Sequence, residues 1–589
     1  MIVLGINETH CATAAVLRDG RIVGCASEER FTRLKNDAGY PRLAIDALLR
    51  ECGIRPSEID LVALAGARAA AREWLNRVMH DESYIGEYYG VSWPTARRAF
   101  EKKMRKWGAK FGLIDASRGK FGISQRERLG FVTQHLGIGA DRIVCLDHHT
   151  CHAAAAYFGS GWHLNPGGRE TLVLTNDNSG DGLCATASTG REMALARHEA
   201  TPSAPGSAGA FYSFVTLLLG MKFGEHEYKV MGLAPYAGEK YARRAEAVLR
   251  EVFDMEEGRP VRFRWKKPGE RYGLLLRATL GLRFDWVAGG AQRLLEDILL
   301  RWTRLMRERY GGSRLVLGGG VFMNVKANML IAQEDWVEGL FAFPSCGDES
   351  NAVGAAYLAY LQEGARRGLA LRPEPFGPAY LGPNVTDAEA EDVIRERRLE
   401  GKYKVAFHDR IEEKIADLLV SDGVVARCAG RMEFGARALG NRSILANPSD
   451  HRVVSLINRM IKNRDFWMPF APTILRERAQ DYLVNPKGLA SPYMMLAMPT
   501  QPKSRDAIIA AIHPQDGTAR PQILEESWNP EYHAVIREFE RRTGIGAVLN
   551  TSFNLHGEPI VCSAADAVDT FERSGLPHLA VGHWLISKK

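Results

Sequence analysis

Three groups of residues in this chain have types and spacings that can do chemistry. The first is Asp147-His148-His149-Thr150-Cys151-His152, which runs into four alanines. On a helix, His148 and His152 stand one turn apart on one face, the spacing at which two imidazoles share one metal ion. Asp177 and Asp348, each next to a glycine-rich turn, are suitable oxygen donors to complete such a site. Imidazole with carboxylate suits Fe²⁺, Mn²⁺ or Zn²⁺. Taken alone, an H-x-x-x-H match is equally compatible with histidines that are simply satisfied by their neighbours.

The second group is Gly318-Gly319-Gly320 at the end of a short apolar run, followed by Asn324. Backbone N–H groups approach a phosphate closely where no Cβ intervenes, and a helix N-terminus beyond adds its dipole. A second glycine-carboxylate turn, Cys346-Gly347-Asp348, follows about thirty residues on, and together they could clamp a metal-nucleotide. The pattern is neither a P-loop nor G-x-G-x-x-G, so a tight packing turn is the competing reading.

The third group is the richest. Gly430-Arg431-Met432-Glu433-Phe434-Gly435-Ala436-Arg437-Ala438-Leu439-Gly440-Asn441-Arg442-Ser443 is followed by Lys462 and Arg464, by Asp516-Gly517-Thr518-Ala519-Arg520, and by Asn550-Thr551-Ser552-Phe553-Asn554. Arginines separated by glycines and small residues make poor helix surface and a good anion pocket, because guanidinium forks bind phosphate bidentately on a backbone that can bend. A different basic run, Arg97 to Arg128, carries eleven Lys/Arg against three acids but lacks the third group's dense glycine and hydroxyl context. Its lysines fall at helical spacings with Phe100 and Trp107 among them, which reads as a solvated helix more readily than as a nucleic-acid surface.

The elements that must position these groups are those of a mixed α/β protein. Met1 to Asn7 and Ala12 to Arg18 are apolar runs, and Asp19-Gly20 turns the chain into Arg21 to Ala26, a hairpin pattern. A helix is expected near Leu43 to Cys52 and a strand over Asp60 to Ala65. The same grammar recurs with Glu170 to Asn176, a turn at Ser179 to Gly182, and Leu183 to Ser188. Two such openings point to a duplicated fold of the actin-like ATPase kind. Helices are expected over Arg97 to Lys106, Tyr241 to Val252, Gln292 to Tyr310 and Gly354 to Gly364, with a closing strand over Leu579 to Ile586. The proline-rich stretch Arg372 to Pro383 is the expected boundary between units 1–371 and 372–589.

At 589 residues, with 46% hydrophobic and 25% charged residues, the chain can bury large cores without disulfides, and collagenous, coiled-coil and wholly disordered classes are excluded. No apolar run reaches the roughly 18 residues needed to cross a bilayer. The start, MIVLGINETH, does not read as a signal peptide. Nine cysteines with no C-x-x-C pair point to a reducing cytoplasm. The net charge of +7 is mild and argues for small anionic substrates more than for nucleic acid.

The motifs taken together, in order along nearly the whole chain, resemble one family: the ATP-dependent O-carbamoyltransferases that act on antibiotics, nodulation factors and related metabolites. The matching stretches are GINETHCATAAVL with SEERFTRLK, DHHTCHAAAAY, KVMGLAPYA, LGGGVFMNVKAN, GDESNAVGAAY, GRMEFGARALGNRS, PFAPTIL, DGTARPQ and NTSFNLHGEPIV. The resemblance implies an N-terminal duplicated actin-like domain similar to the universal tRNA-threonylcarbamoylation ATPase and a C-terminal YrdC-like domain. It implies that carbamoyl phosphate and ATP, with Mg²⁺, form carbamoyladenylate at the C-terminal site, and that the carbamoyl group then passes to a hydroxyl of a small metabolite at the metal-bearing site. Family iron, Fe²⁺, maps onto His148, His152, Asp177 and Asp348, and the transfer-centre histidine onto His10. Arg437, Lys462, Arg520, Asn550 and Ser552 match the carbamoyl-phosphate and nucleotide site, with Arg437 and Lys462 catalytic, and Gly318, Gly319, Gly320, Asn324 and Ser552 bind nucleotide. No membrane or nucleic-acid partner is implied, and a homodimer is compatible.

Two departures stand out: Cys11 follows His10 where the family often has aspartate, and Met468 replaces an arginine. The rival readings are a hydrogenase-maturation carbamoyltransferase, whose paired C-x-x-C fingers are absent here, a tRNA threonylcarbamoyl transferase, and a non-catalytic actin-like ATP-binding scaffold.

Overall fold

The computed structural model describes residues 1–81, 122–165, 169–204, 206–256, 258–259, 268–421 and 423–589. The expected helix Arg97 to Lys106 and most of the basic run around it lie outside the described residues. Its last member, Arg128, is 1% exposed: Nε donates to Glu8 Oε2 at 2.7 Å and the other nitrogens to the carbonyls of Gly66 and Ala65. That arginine is therefore a structural strut. Among the described residues no helix is long and apolar enough to cross a membrane.

The duplication is explicit in the sheets. The first holds, in spatial order, Arg21–Ser27, Thr13–Arg18, Ile2–Asn7, Leu61–Ala65 and Ile143–Leu146. The first three are antiparallel and the last two join in parallel. The second holds Ala194–Pro202, Leu183–Arg191, Thr171–Gly180, Arg314–Gly318 and Gly339–Ala342 in the same order with the same directions. The turn matched in the sequence is not the equivalent one in the two halves. Asp19-Gly20 joins strands two and three of the first sheet, whereas Asp181-Gly182 joins strands one and two of the second. Both pairs have positive φ, which two-residue hairpin turns require wherever they fall.

Each half closes with a helix rich in alanine, His148–Gly159 and Asn351–Arg366. Small side chains let backbones approach: a Cβ on Gly354 would stand 1.9 Å from Cys151 O, and one on Gly5 1.9 Å from Ala352 O. The heads of both helices are thereby brought to one cleft.

The remaining chain forms an eight-stranded sheet, in order Lys404–Phe407, Trp584–Ser587, His578–Val581, Val424–Cys428, Arg442–Ala446, Ala547–Ser552, Ala471–Leu475 and Gln522–Leu524. The single closing strand expected over Leu579 to Ile586 is instead a hairpin, His578–Val581 and Trp584–Ser587, because Gly582 takes φ +52°. Residues 372–383 run as an ordered strap: Glu374 N donates to Gly20 O and Phe376 N to Gly159 O. Three arginines join the two sheet systems through backbone carbonyls: Arg30 to Gly435, Arg33 to Ile560 and Pro559, and Arg431 to Val23.

Candidate functional site

Asp147 caps the helix His148–Gly159, accepting from Thr150 N at 2.8 Å, and so sets the first turn that presents His148. His152 follows one turn on. Asp177 comes from the strand Thr171–Gly180, and Asp348 from the turn just before the helix Asn351–Arg366. One ligand atom from each of the four lies within 4.8 Å of all the others. His148 Nε2 is 3.1 Å from His152 Nε2, 3.3 Å from Asp177 Oδ2 and 3.5 Å from Asp348 Oδ1.

The electrostatics are those of a cation site. Burial alone would raise the Asp177 carboxyl, but hydrogen bonds from His148 and His152 outweigh it and hold it well below the usual range. Burial alone would lower His152, yet the two carboxylates push it up to about 9. A proton there does what a bound cation would do. His152 Nδ1, 3.1 Å from Ser350 Oγ, is anchored on its far side, as ligating imidazoles usually are. His149 is not part of the cluster: Nδ1 pairs with Thr175 Oγ1 at 2.8 Å, and burial, with His148 and His152 nearby, lowers it to about 4.

The second cluster is cationic. Helix Arg452–Ile457 passes into a π-helical turn, Asn458–Lys462, that swings Lys462 inward. Lys462 is 2% exposed, and its Nζ donates to Ser552 Oγ at 3.0 Å and Asn554 Oδ1 at 2.8 Å. Burial, then Arg464 and Lys35, lower it well below the ordinary lysine range. Burial likewise lowers Arg437, and takes Arg464 and Arg520 to about 10. No ion pair involves any of these four among the described residues. Arg437 Nε and both terminal nitrogens of Arg520 are buried without hydrogen-bond partners, as is Asn550 Oδ1. Unpaired interior cations are costly unless an anion completes the site.

Both clusters open on one cavity of about 850 Å³. Its lining includes His10, His148, Asp177 and Asp348 on one side and Arg437, Lys462, Arg520, Asn550 and Ser552 on the other. Arg464, a member of the third sequence group, joins them: its guanidinium lies 5.0 Å over Phe470 and donates to Thr551 Oγ1 at 3.0 Å, while Met468 adds no charge.

Other expectations divide. Gly320 and Asn324 reach the cavity, but Gly318 and Gly319 are not among its lining residues. A Cβ on Gly318 would stand 2.8 Å from His152 O, and one on Gly319 2.3 Å from Asn176 O, so these two glycines let the ligand-bearing elements pack. Asn324 caps the helix Val325–Gln333 and pairs with Gln292 at 2.9 Å in both directions. Of the three arginines in the arginine-glycine motif, only Arg437 is among the cavity's lining residues, flanked there by Ala436 and Ala438. Arg442, fully buried, donates to the carbonyls of Cys562, Ala429, Gly430 and Asn441, and Arg431 to those of Gly382 and Leu381.

A family model for the carbamoyltransferase N-terminus matches residues 2–357, and one for the carbamoyltransferase C-terminus matches 416–588. An uncharacterized protein of Synechocystis sp. is 30% identical over 100% of this chain and 96% of its own length. Nodulation protein NolNO of Sinorhizobium fredii is 30% identical over 98% of this chain and 79% of its own. The solved structure of full-length HypF in the phosphate- and nucleotide-bound form is 12% identical, with a TM-score of 0.32 over 61% of this chain and 55% of that one. With both family models matched in order across most of its length, the chain belongs to the carbamoyltransferase family.

Proposed function

We propose that this carbamoyltransferase takes its carbamoyl group from carbamoyl phosphate, activates it with ATP as carbamoyladenylate, and transfers it to a hydroxyl of a small metabolite. The observation that carries this reading is the single cavity shared by the cation cluster and the histidine-aspartate cluster.

Activation brings polyanions together, and only fixed cations can offset their repulsion. Arg437, Lys462, Arg464 and Arg520 would supply them, none of the four being held in an ion pair among the described residues. Water releases carbamate and phosphate from carbamoyl phosphate; a carbamate oxygen attacks the α-phosphorus of ATP, and pyrophosphate leaves. Asn550 Oδ1, buried without a donor, is available to the carbamoyl NH₂. Transfer then requires a proton to leave the acceptor hydroxyl as its oxygen bonds the carbamoyl carbon and AMP departs. His10, on the loop between the first two strands and among the cavity's lining residues, would take that proton. His148, His152, Asp177 and Asp348 would hold a divalent ion, Fe²⁺ being the family expectation, and such an ion polarises an oxygen as a Lewis acid. A shared cavity also keeps a water-labile intermediate inside the protein between the two steps.

The test is to incubate the metal-replete protein with ATP and carbamoyl phosphate, measure pyrophosphate, and screen hydroxylated metabolites by mass for a carbamoyl gain. Absence of pyrophosphate from that mixture would overturn the reading.

A further inference from the structure

Residues 435–438 belong to no strand or helix, so tertiary bonds rather than a ladder set their course. Those bonds hold one peptide group at both ends. Its carbonyl, Gly435 O, accepts from Arg30 Nη2 at 2.6 Å, and its N–H, that of Ala436, donates to Ser345 Oγ at 3.0 Å. Both clamping residues come from the N-terminal unit, and both are 3% exposed. Gly435 takes φ +97°, and a Cβ on it would stand 2.8 Å from Ser345 Cβ, so this close approach needs glycine. Ser345 itself takes φ +54°, a left-handed conformation that costs energy for a residue with a Cβ. Strain held in place by surrounding bonds is found where it serves a site.

The Ser345 hydroxyl is used in both directions: it donates its proton to Glu349 Oε1 and accepts the Ala436 N–H. Glu349, 8% exposed, follows Asp348 in the turn at the head of the helix Asn351–Arg366. A continuous path therefore runs from the turn that carries a candidate metal ligand, through Glu349 and Ser345, to the peptide directly in front of Arg437. The Arg437 side chain has no carboxylate to aim it: no ion pair holds its guanidinium among the described residues, and its Nε is buried without a partner. Its direction is then set by the backbone behind it. We infer that Ser345 is a positioning residue for Arg437, with Arg30 clamping the other end of the same peptide, so that the N-terminal unit aims a cation of the C-terminal unit into the shared cavity.

This inference rests on the proposed anion-binding role of Arg437, and the experiment separates the two. Binding of carbamoyl phosphate, and separately of ATP with Mg²⁺, is measured by titration calorimetry on the metal-replete full chain, and the readout is the anion whose binding Arg437→Met weakens. Ser345→Gly removes the hydroxyl and takes φ +54° without cost, so the turn is kept. It should weaken binding of that anion about tenfold, the size expected when one orienting hydrogen bond is lost, with metal content unchanged. The two substitutions should not add: Ser345→Gly should have no further effect in the Arg437→Met background, which a merely structural role would not produce. Gly435→Ala, which presses a Cβ against Ser345 and displaces the same peptide, should reproduce both the loss and its non-additivity. Unchanged binding in Ser345→Gly and Gly435→Ala, or an equal further loss on top of Arg437→Met, would overturn the positioning role while sparing Arg437. Unchanged binding of both anions in Arg437→Met would remove Arg437 from the site, and the inference with it.

Discussion

Thr9 Oγ1 lies 2.6 Å from Asp348 Oδ2, so a hydroxyl on the first hairpin loop of one half meets a carboxylate at the head of the last helix of the other. The same hydroxyl is 2.8 Å from Asn7 Oδ1. The pseudo-symmetric halves therefore share the candidate metal centre, with His148 and His152 on the closing helix of the first and Asp177 on the opening strand of the second.

Thr9→Val keeps the side chain's shape and removes that hydroxyl. Groups that orient a ligand typically account for roughly 10–100-fold in metal affinity. The expected result is metal lost at a correspondingly lower chelator concentration, read by elemental analysis after dialysis. Retention equal to that of the unaltered protein would show that Asp348 needs no such anchor.

The two clusters should be separable in function. Lys462→Ala removes a cation and a donor to Ser552 and Asn554, and should abolish pyrophosphate release. His148→Ala should leave pyrophosphate release in place and stop carbamoyl transfer. Equal loss of both activities in both variants would contradict the division of labour.

What could be read from the sequence follows physical lines. The candidate metal ligands were legible because a one-turn histidine spacing and carboxylates beside glycine turns are local patterns. Residue chemistry alone did not say which arginine of the glycine-rich motif faces inward, because Arg437 and Arg442 have the same chemistry in sequence and differ only in their neighbours; the family resemblance is what singled out Arg437. Arg442 meets a wall of carbonyls, and Arg437 meets open space. Gly318 and Gly319 were read toward phosphate, while the structure uses them for close backbone approach. Gly582, inside an apolar run, was the available sign that the last strand is a hairpin.

Close approach of backbones also yields a stability prediction. Alanine is a better helix former than glycine by about 1 kcal/mol, so Gly→Ala inside a helix stabilises where there is room. A Cβ on Gly130, in the helix Gln125–Leu136, would meet no atom within 4 Å, whereas one on Gly354 would stand 1.9 Å from Cys151 O, a backbone atom. Gly130→Ala should be neutral or stabilising. Gly354→Ala should lower the unfolding temperature, since overpacking against an unyielding neighbour costs about 1–3 kcal/mol or more. Equal unfolding temperatures for the two variants would mean that the closing helices can shift apart at little cost.

The buried cations predict a proton balance on binding. In the free protein, burial, followed by Arg464 and Lys35, favours the neutral amine of Lys462. A polyanion placed among Arg437, Lys462, Arg464 and Arg520 favours the charged form and raises the lysine's affinity for a proton. Binding of ATP or carbamoyl phosphate should therefore take up protons from solution at any pH where the free protein holds part of its Lys462 as the neutral amine. Titration calorimetry in buffers of different ionisation enthalpy measures this directly: the observed enthalpy should vary with the buffer in the sense of uptake, and Lys462→Met should reduce that dependence. A buffer-independent enthalpy in the unaltered protein would show that Lys462 is already charged before the anion arrives.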